Sequence, residues 1–290
     1  MKSMKQNNSL ITDNNLKKGQ IEMKGYIDEY NKDNKIEFTA TAKAIFIDWG
    51  DGTVEKFAPN DLESTFTHIY NNKVDCYTIT VETEDMIELN CCGNLLTSLN
   101  MSGCSVLTRL DCSFNELTSL NVSGCTALTT LYCYNNQLTL LDVSGCIAFT
   151  ELICSNNLLT SLDVSGLTAL TRLYCGNNRL TLLDVSRNNA LTELHCSGNE
   201  ITSLDVSKNT SLTTLYCNDN KLTSLDLSGL VALSTLECSN NYQLTAEALS
   251  SIFETLPITT EGVITTSNKP PALIEDIAIN KGWKLIYKSY

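Results

Sequence analysis

The sequence predicts a mainly β fold with short helical turns: a solenoid whose parallel sheet is built from 21-residue repeats, closed by an N-terminal β-sandwich-like cap and a C-terminal α/β cap. Three observations carry this. Cys91, Cys112, Cys133, Cys154, Cys175, Cys196, Cys217 and Cys238 recur at one interval of 21 residues, and a sustained period of that size marks a repeat array. An asparagine column keeps the same step through Asn94, Asn115, Asn136, Asn157, Asn178, Asn199, Asn220 and Asn241. Both flanks leave the period, as expected of segments that cover the open ends of a solenoid.

Residues 1–20 are rich in Lys and Asn and lack hydrophobic periodicity, so they read as a disordered tail. No apolar stretch there resembles a secretory signal, and none elsewhere is long enough to span a membrane. Residues 21–85 read as a β-domain with strands at Ile21–Tyr26, Lys35–Ala42, Ala44–Asp48, Thr53–Phe57 and Tyr77–Val81. Asp48-Trp49-Gly50-Asp51-Gly52-Thr53 makes a tight turn between two of them. His68 is read as structural and Asp51 as a turn residue.

Residues 86–245 hold eight turns of the repeat. In Leu110-Asp111-Cys112, alternation sends Leu110 and Cys112 inward and Asp111 outward. Stacked copies then form a parallel sheet with leucines and cysteines inside, each Asn pairing backbone groups left open by the turn. In the second half of the unit, Leu120 and Val122 face inward. The Asp/Asn column between them (Asn100, Asn121, Asp142, Asp163, Asp184, Asp205, Asp226) is expected to cap the tight turn that follows, with the Ser residues beside it. A cation stripe is the competing reading, and the two Asn occupants break it. Thirteen cysteines is an odd number. Inward cysteine behaves as a small hydrophobe, so reduced thiols are expected, which fits a reducing or anaerobic setting.

Residues 246–290 form the C-terminal cap. A helix from Ala246 to Leu256 is N-capped by Thr245 and presents Leu249, Ile252, Phe253 and Leu256 on one face. A strand at Gly262–Thr266, a helix at Ala272–Asn280 and a strand at Trp283–Tyr287 follow.

The frame L-x-x-L-x-C-x-x-N-x-L resembles the leucine-rich repeat. In the N-terminal flank, W-G-D-G-T followed by H-x-Y and Y-T-I-T-V resembles a PKD-type, immunoglobulin-like sandwich, with Cys76 standing where Gly usually precedes the tyrosine. Together these resemble the leucine-rich-repeat surface proteins of anaerobic, gut-dwelling bacteria. That resemblance implies an extracellular or cell-surface location with the leader missing from the chain, a cytoplasmic one staying open. It also implies ligand recognition or adhesion on the concave strand face.

The outward positions locate the candidate site. Between the inward Leu and Cys stand Asn90, Asp111, Tyr132, Ile153, Tyr174, His195, Tyr216 and Glu237. The flanking columns add Arg109, Arg172 and Tyr134. An aromatic stripe with a polar rim suits binding, because Tyr is an enriched anchor residue at interfaces. The candidate ligand-binding residues are therefore Arg109, Tyr132, Tyr134, Ile153, Arg172, Tyr174, His195 and Tyr216. Cross-strand aromatic packing that serves the sheet alone is the competing explanation.

Catalysis is not expected. The chain has 2 His, and alternation sends His195 and Cys196 to opposite faces. No nucleophile elbow, zincin motif, P-loop or dinucleotide fingerprint occurs. No cofactor and no metal are expected. The net charge of −13 and the lack of a basic stripe disfavour nucleic acid and anionic membrane as partners. The reading is a non-enzymatic monomer that binds a protein or glycan on its concave face; the alternative is a passive spacer or scaffold.

Overall fold

The computed structural model describes residues 19–26, 34–57, 60–70, 76–83, 85–267 and 272–288. Most of the expected tail lies outside them, but Gly19 and Gln20, read as tail, already belong to the first strand. The N-terminal part comprises β1 (Gly19–Gly25), β2 (Lys35–Ala42), β3 (Ile45–Asp48), β4 (Val54–Phe57), β5 (Asn60–Ile69) and β6 (Tyr77–Thr83). Strand β5 is longer than any strand expected there.

The repeats contribute β7 (Glu88–Asn90), β8 (Leu96–Asn100), β9 (Arg109–Asp111), β10 (Ser119–Asn121), β11 (Thr130–Tyr132), β12 (Glu151–Ile153), β13 (Arg172–Tyr174), β14 (Glu193–His195), β15 (Thr214–Tyr216) and β16 (Thr235–Glu237). The C-terminal part adds α1 (Ala246–Thr255), β17 (Gly262–Thr266), α2 (Ala272–Asn280) and β18 (Trp283–Tyr287).

One 12-stranded sheet runs through the molecule in the order β18-β17-β16-β15-β14-β13-β12-β11-β9-β7-β2-β5. Its repeat strands are parallel and in register, Leu110 beside Leu131 beside Leu152. A 6-stranded sheet in the order β10-β8-β1-β6-β3-β4 lies behind its N-terminal end. Neither end strand of the repeats is left bare. β2 pairs antiparallel with β7, β1 pairs antiparallel with β8, and β17 extends the parallel ladder beyond β16. The caps are thus continuations of the repeat sheets, which removes unpaired edges where the solenoid would otherwise begin and end.

The inward columns are dry. Leu110, Leu131, Leu152, Leu173, Leu194 and Leu215, with every cysteine of the long column, are at most 2% exposed. The cysteines are free thiols. Burial pushes Cys133 and Cys196 up to about 12, and Cys154 and Cys175 well above the ordinary value. Cys91 is buried while its neighbour Cys92 is exposed, as strand alternation requires.

The asparagine ladder works by one repeated arrangement. Asn136 Nδ2 donates to the carbonyl oxygens of Cys133 (3.1 Å) and of Cys112 one rung earlier (3.0 Å), and its Oδ1 accepts from Leu117 N (2.9 Å). Each amide therefore ties two rungs together. At the N-terminal end no earlier rung exists, and Glu37 of β2 replaces it: Asn94 donates to Glu37 O (2.8 Å) and accepts from Glu37 N (2.9 Å). The position before each ladder Asn is left-handed, from Gly93 (φ 71°) and Phe114 (51°) to Asn240 (55°). Gly, Asn and Asp hold most of these places, the residues that tolerate that region best.

The Asp/Asn column makes the turns as expected. Asp142 Oδ1 accepts from Ser144 N at 3.0 Å and Asp205 Oδ1 from Ser207 N at 2.9 Å, while Asn121 does the same for Ser123 at 3.0 Å. Amide and carboxylate are interchangeable there because only one oxygen is used. The segment after Ser207 is two consecutive hydrogen-bonded turns, Asn209 N to Val206 O and Leu212 N to Asn209 O. Cys125 and Cys146 lie in a second buried column, where their thiols donate to the carbonyls of Met101 (3.2 Å) and Val122 (3.5 Å). Asn188 and Asn209 fill equivalent slots and reach the same kind of carbonyl, Val164 O (2.9 Å) and Val185 O (3.0 Å).

His68 and Asp51 both serve the fold. The His68 ring stacks on buried Trp49 at 4.8 Å, and its Nε2 lies 2.8 Å from Asp51 Oδ2. Thr53 N donates to Asp51 Oδ1, closing the turn. In the C-terminal cap, Thr245 accepts from Ala248 N, and α1 buries Leu249, Ile252 and Phe253. Leu256 is its C-cap rather than its last helical residue.

Candidate functional site

The outward residues of the long sheet form columns whose spacing is set by strand pairing. Tyr132, Ile153, Tyr174, His195 and Tyr216 stand side by side in register. All five are half-buried, since each flank is covered by its neighbours while the outer edge stays open. Among the described residues, no loop or cap covers Tyr132, Tyr174 or Tyr216 to the point of burial.

Within this column Tyr174 and His195 stack at 4.0 Å with an interplanar angle of 2°, and His195 and Tyr216 stack at 4.3 Å and 28°. The pairing distance between strands, about 4.8 Å, places successive rings at stacking distance. Ile153 separates this trio from Tyr132. There the Arg109 side chain takes the place of a ring, its guanidinium carbon 4.5 Å from the Tyr132 centroid. Tyr134, in the next column, meets Phe114 edge-on at 5.1 Å.

The charged residues beside the column are paired across strands. Arg172 Nη2 lies 3.2 Å from Glu151 Oε2. The Tyr174 hydroxyl donates to the Glu193 carboxylate. Burial, then that bond, raises the Tyr174 phenol to about 12. Burial lowers the His195 pKa, and its Nε2 is enclosed without a hydrogen-bond partner among the described residues. The imidazole is thus a neutral stacking element. Cys196 points into the core behind it, so the two do not form a nucleophile–base pair.

The structure therefore gathers Tyr174, His195, Tyr216, Arg172 and Glu193 into one connected surface and places Arg109 with Tyr132 in a second. Ile153 joins the two. What sequence reasoning missed is the continuation of this face onto the cap. Thr39 and Thr41 of β2 lie opposite Asn90 and Glu88, and Glu63 of β5 accepts from Thr39 Oγ1 at 2.9 Å. These residues, with Ala40, Leu89 and Arg109, line a cavity of about 210 Å³.

The repeat unit, its parallel sheet and its asparagine ladder define a leucine-rich-repeat solenoid. A family model for leucine-rich repeats matches residues 189–226 and 210–251. Among solved structures, an internalin (InlF) from Listeria monocytogenes is similar with a TM-score of 0.55 and 23% identity, over 64% of this chain and 57% of that one. A leucine-rich-repeat protein of Leptospira interrogans gives 0.52 and 23%, over 64% and 50%. The functional domain of InlJ from Listeria monocytogenes, described as including a cysteine ladder, is 30% identical over 75% of this chain and 56% of that one, with a TM-score of 0.46. The chain spans about half the length of these structures. No curated protein matches it. No helix among the described residues is long and apolar enough to cross a membrane.

Proposed function

We propose that this chain is a non-enzymatic recognition or adhesion protein that binds an extended protein or glycan ligand on the concave face of the leucine-rich-repeat sheet. The observation that carries the reading is the open column Tyr132–Ile153–Tyr174–His195–Tyr216. It is half-buried with an open outer edge, continuous and flanked by charged groups, the arrangement of an aromatic core with a polar rim. Tyr132, Tyr174 and Tyr216 serve as anchors, with Tyr134, Ile153 and His195 completing the apolar floor. Arg109 and Arg172 supply polar contacts. Residues 21–85 form a PKD-like domain, residues 86–245 the recognition array and residues 246–290 its cap. The whole acts as a monomer at a cell surface or after secretion. The PKD-type motif and the internalin-like fold support this setting.

One observation favours a second reading, a passive spacer. The rings of Tyr174, His195 and Tyr216 already satisfy one another, and cross-strand aromatic pairs stabilise a sheet on their own. Binding to parallel protein and glycan arrays separates the two. The intact chain is compared with a Tyr132→Ser/Tyr174→Ser/Tyr216→Ser variant after both are shown to melt cooperatively. Recognition predicts a partner that the variant loses by at least about tenfold, a loss of about 1.4 kcal/mol. A partner kept equally by both chains would move the site away from the concave face, and no partner for either would favour the spacer.

A further inference from the structure

The long sheet does not stop at the first repeat. Because β2 pairs with β7 and β5 pairs with β2, the face that carries the aromatic column runs unbroken onto the N-terminal cap. At the junction lies the cavity of about 210 Å³ between β5, β2, β7 and β9. Sites for small organic ligands occupy roughly 300–1,000 Å³, so this one has room for a single side chain. Its walls are polar. Glu88 stands between Thr41 on one side and Arg109 on the other, Asn90 stands opposite Thr39, and Glu63 closes the far side.

The charges do not balance. Arg109 lies over the Tyr132 ring, leaving one guanidinium against the two carboxylates Glu63 and Glu88. Farther along the face Glu151 is matched by Arg172 and Glu237 by Lys288, and Glu193 takes the Tyr174 hydroxyl, whereas at the cap junction the two carboxylates line one cavity. A carboxylate is an acceptor with several open lone pairs, and an ammonium carries three donors.

A second observation bears on the kind of ligand. Both faces of His195, and one face each of Tyr174, Tyr216 and Tyr132, are covered by a neighbouring ring or guanidinium. The column offers edges and one hydroxyl already given to Glu193. His195 offers no ring face and each of the three tyrosines at most one, so no continuous platform of ring faces is open to a flat sugar. Edges and a negative pocket suit a protein segment with an apolar stretch and a basic side chain.

Resting on the concave-face reading above, we propose that the ligand is a basic protein segment and that the cavity lined by Glu63, Glu88, Asn90, Thr39, Thr41 and Arg109 takes one of its lysine or arginine side chains. The cap is thereby part of the recognition surface as well as the end of the solenoid.

The test is an NMR titration of the isotope-labelled full chain with three probes: Nα-acetyl-lysine methylamide, its norleucine counterpart and N-acetylglucosamine. The lysine probe is expected to shift the amides of Thr39, Thr41, Asn90 and Arg109 saturably, and the norleucine probe is not. Glu63→Gln/Glu88→Gln, isosteric and on exposed positions, should weaken the lysine probe by at least about tenfold without moving the melting temperature. The proposal falls if no saturable shift occurs at these amides, if norleucine acts equally, or if the double variant binds as before. It falls as a basic-side-chain site if the sugar alone saturates the pocket. The titration does not depend on finding the natural partner. Lysine binding in a chain whose tyrosine variant loses no array partner would overturn the aromatic-column reading and leave the pocket standing.

Discussion

At the scale of single residues, the stability of this solenoid is concentrated in amides that serve two rungs at once. Asn157 is 5% exposed. Its Nδ2 donates to Cys133 O (3.0 Å) and Cys154 O (3.1 Å), and its Oδ1 accepts from Leu138 N (3.0 Å). Replacing it with alanine removes these bonds and strands the buried Leu138 N–H, which costs roughly 1–3 kcal/mol when left unpaired, while Cys133 O and Cys154 O each keep an amide from Asn136 and Asn178. Asn157→Ala is expected to lower the unfolding free energy by about 2 kcal/mol or more, read from the urea midpoint. Its neighbour Asn156 is exposed and left-handed (φ 56°), so Asn156→Gly should leave the midpoint within about 0.5 kcal/mol. Equal effects at the two sites would refute the division of labour between them.

At the scale of elements, the joint between cap and solenoid is a tight fit. Gly25 sits where β1 slips register against β8. A Cβ added there would lie 2.3 Å from the Tyr77 hydroxyl and 2.9 Å from Leu95 O. That hydroxyl donates to Asn94 O at 2.6 Å, at the head of the asparagine ladder. Overpacking typically costs about 1–3 kcal/mol, so Gly25→Ala should destabilise the chain by about 2 kcal/mol or more. Hydrogen exchange should show the loss first in β1 and β8. Protection unchanged in both strands would mean that the cap is not held through this contact.

This joint also shows where the sequence was legible. Inward Leu, Cys and Asn were readable because identical residues recur at a fixed step and because alternation assigns them a face. The helix behind Thr245 was readable from its cap and its spaced apolar residues. Strand β5 was not, because Ser64 and His68 break the alternation and leave only Leu62 and Phe66 as a hydrophobic signal between Asn60 and Ile69. The face of the outward column was readable from the same alternation. The stacking of His195 between two tyrosines and the seating of Arg109 on Tyr132 depend on side-chain directions across strands, which no one-dimensional pattern contains. The cap pocket was missed because it joins Glu63 to Glu88 through a pairing between β2 and β7 that links two segments of unrelated pattern.

At the scale of the whole molecule, the buried thiols set a limit on alkaline stability. Eleven of the 13 cysteines are buried, and the cause of their raised pKa is burial, which disfavours the thiolate. The ordinary thiol value is 9.0, whereas Cys133, Cys196 and Cys238 are pushed up to about 12. Between these values the unfolded chain has released protons that the folded chain still holds. Stability is therefore full below pH 9 and falls as pH rises, by up to about 1.4 kcal/mol per pH unit for each thiol. One unit above the ordinary value, eight thiols of the long column together favour unfolding by about 11 kcal/mol. Small proteins have only about 5–15 kcal/mol of stability in all. Cooperative unfolding is thus expected between about pH 9 and 10.5, with only Cys76 and Cys92, the two exposed thiols, alkylated in the native protein below that range. Cys133→Ala/Cys175→Ala removes two of the titrating thiols and should reduce the slope of unfolding free energy between about pH 8.5 and 9.5, where the native protein is still populated, by about 1.4 kcal/mol per unit. This holds even though the variant is less stable at neutral pH. A loss of stability alone would shift the whole curve down without changing its slope, so the slope isolates titration of the cysteine column from the packing of its sulfur atoms.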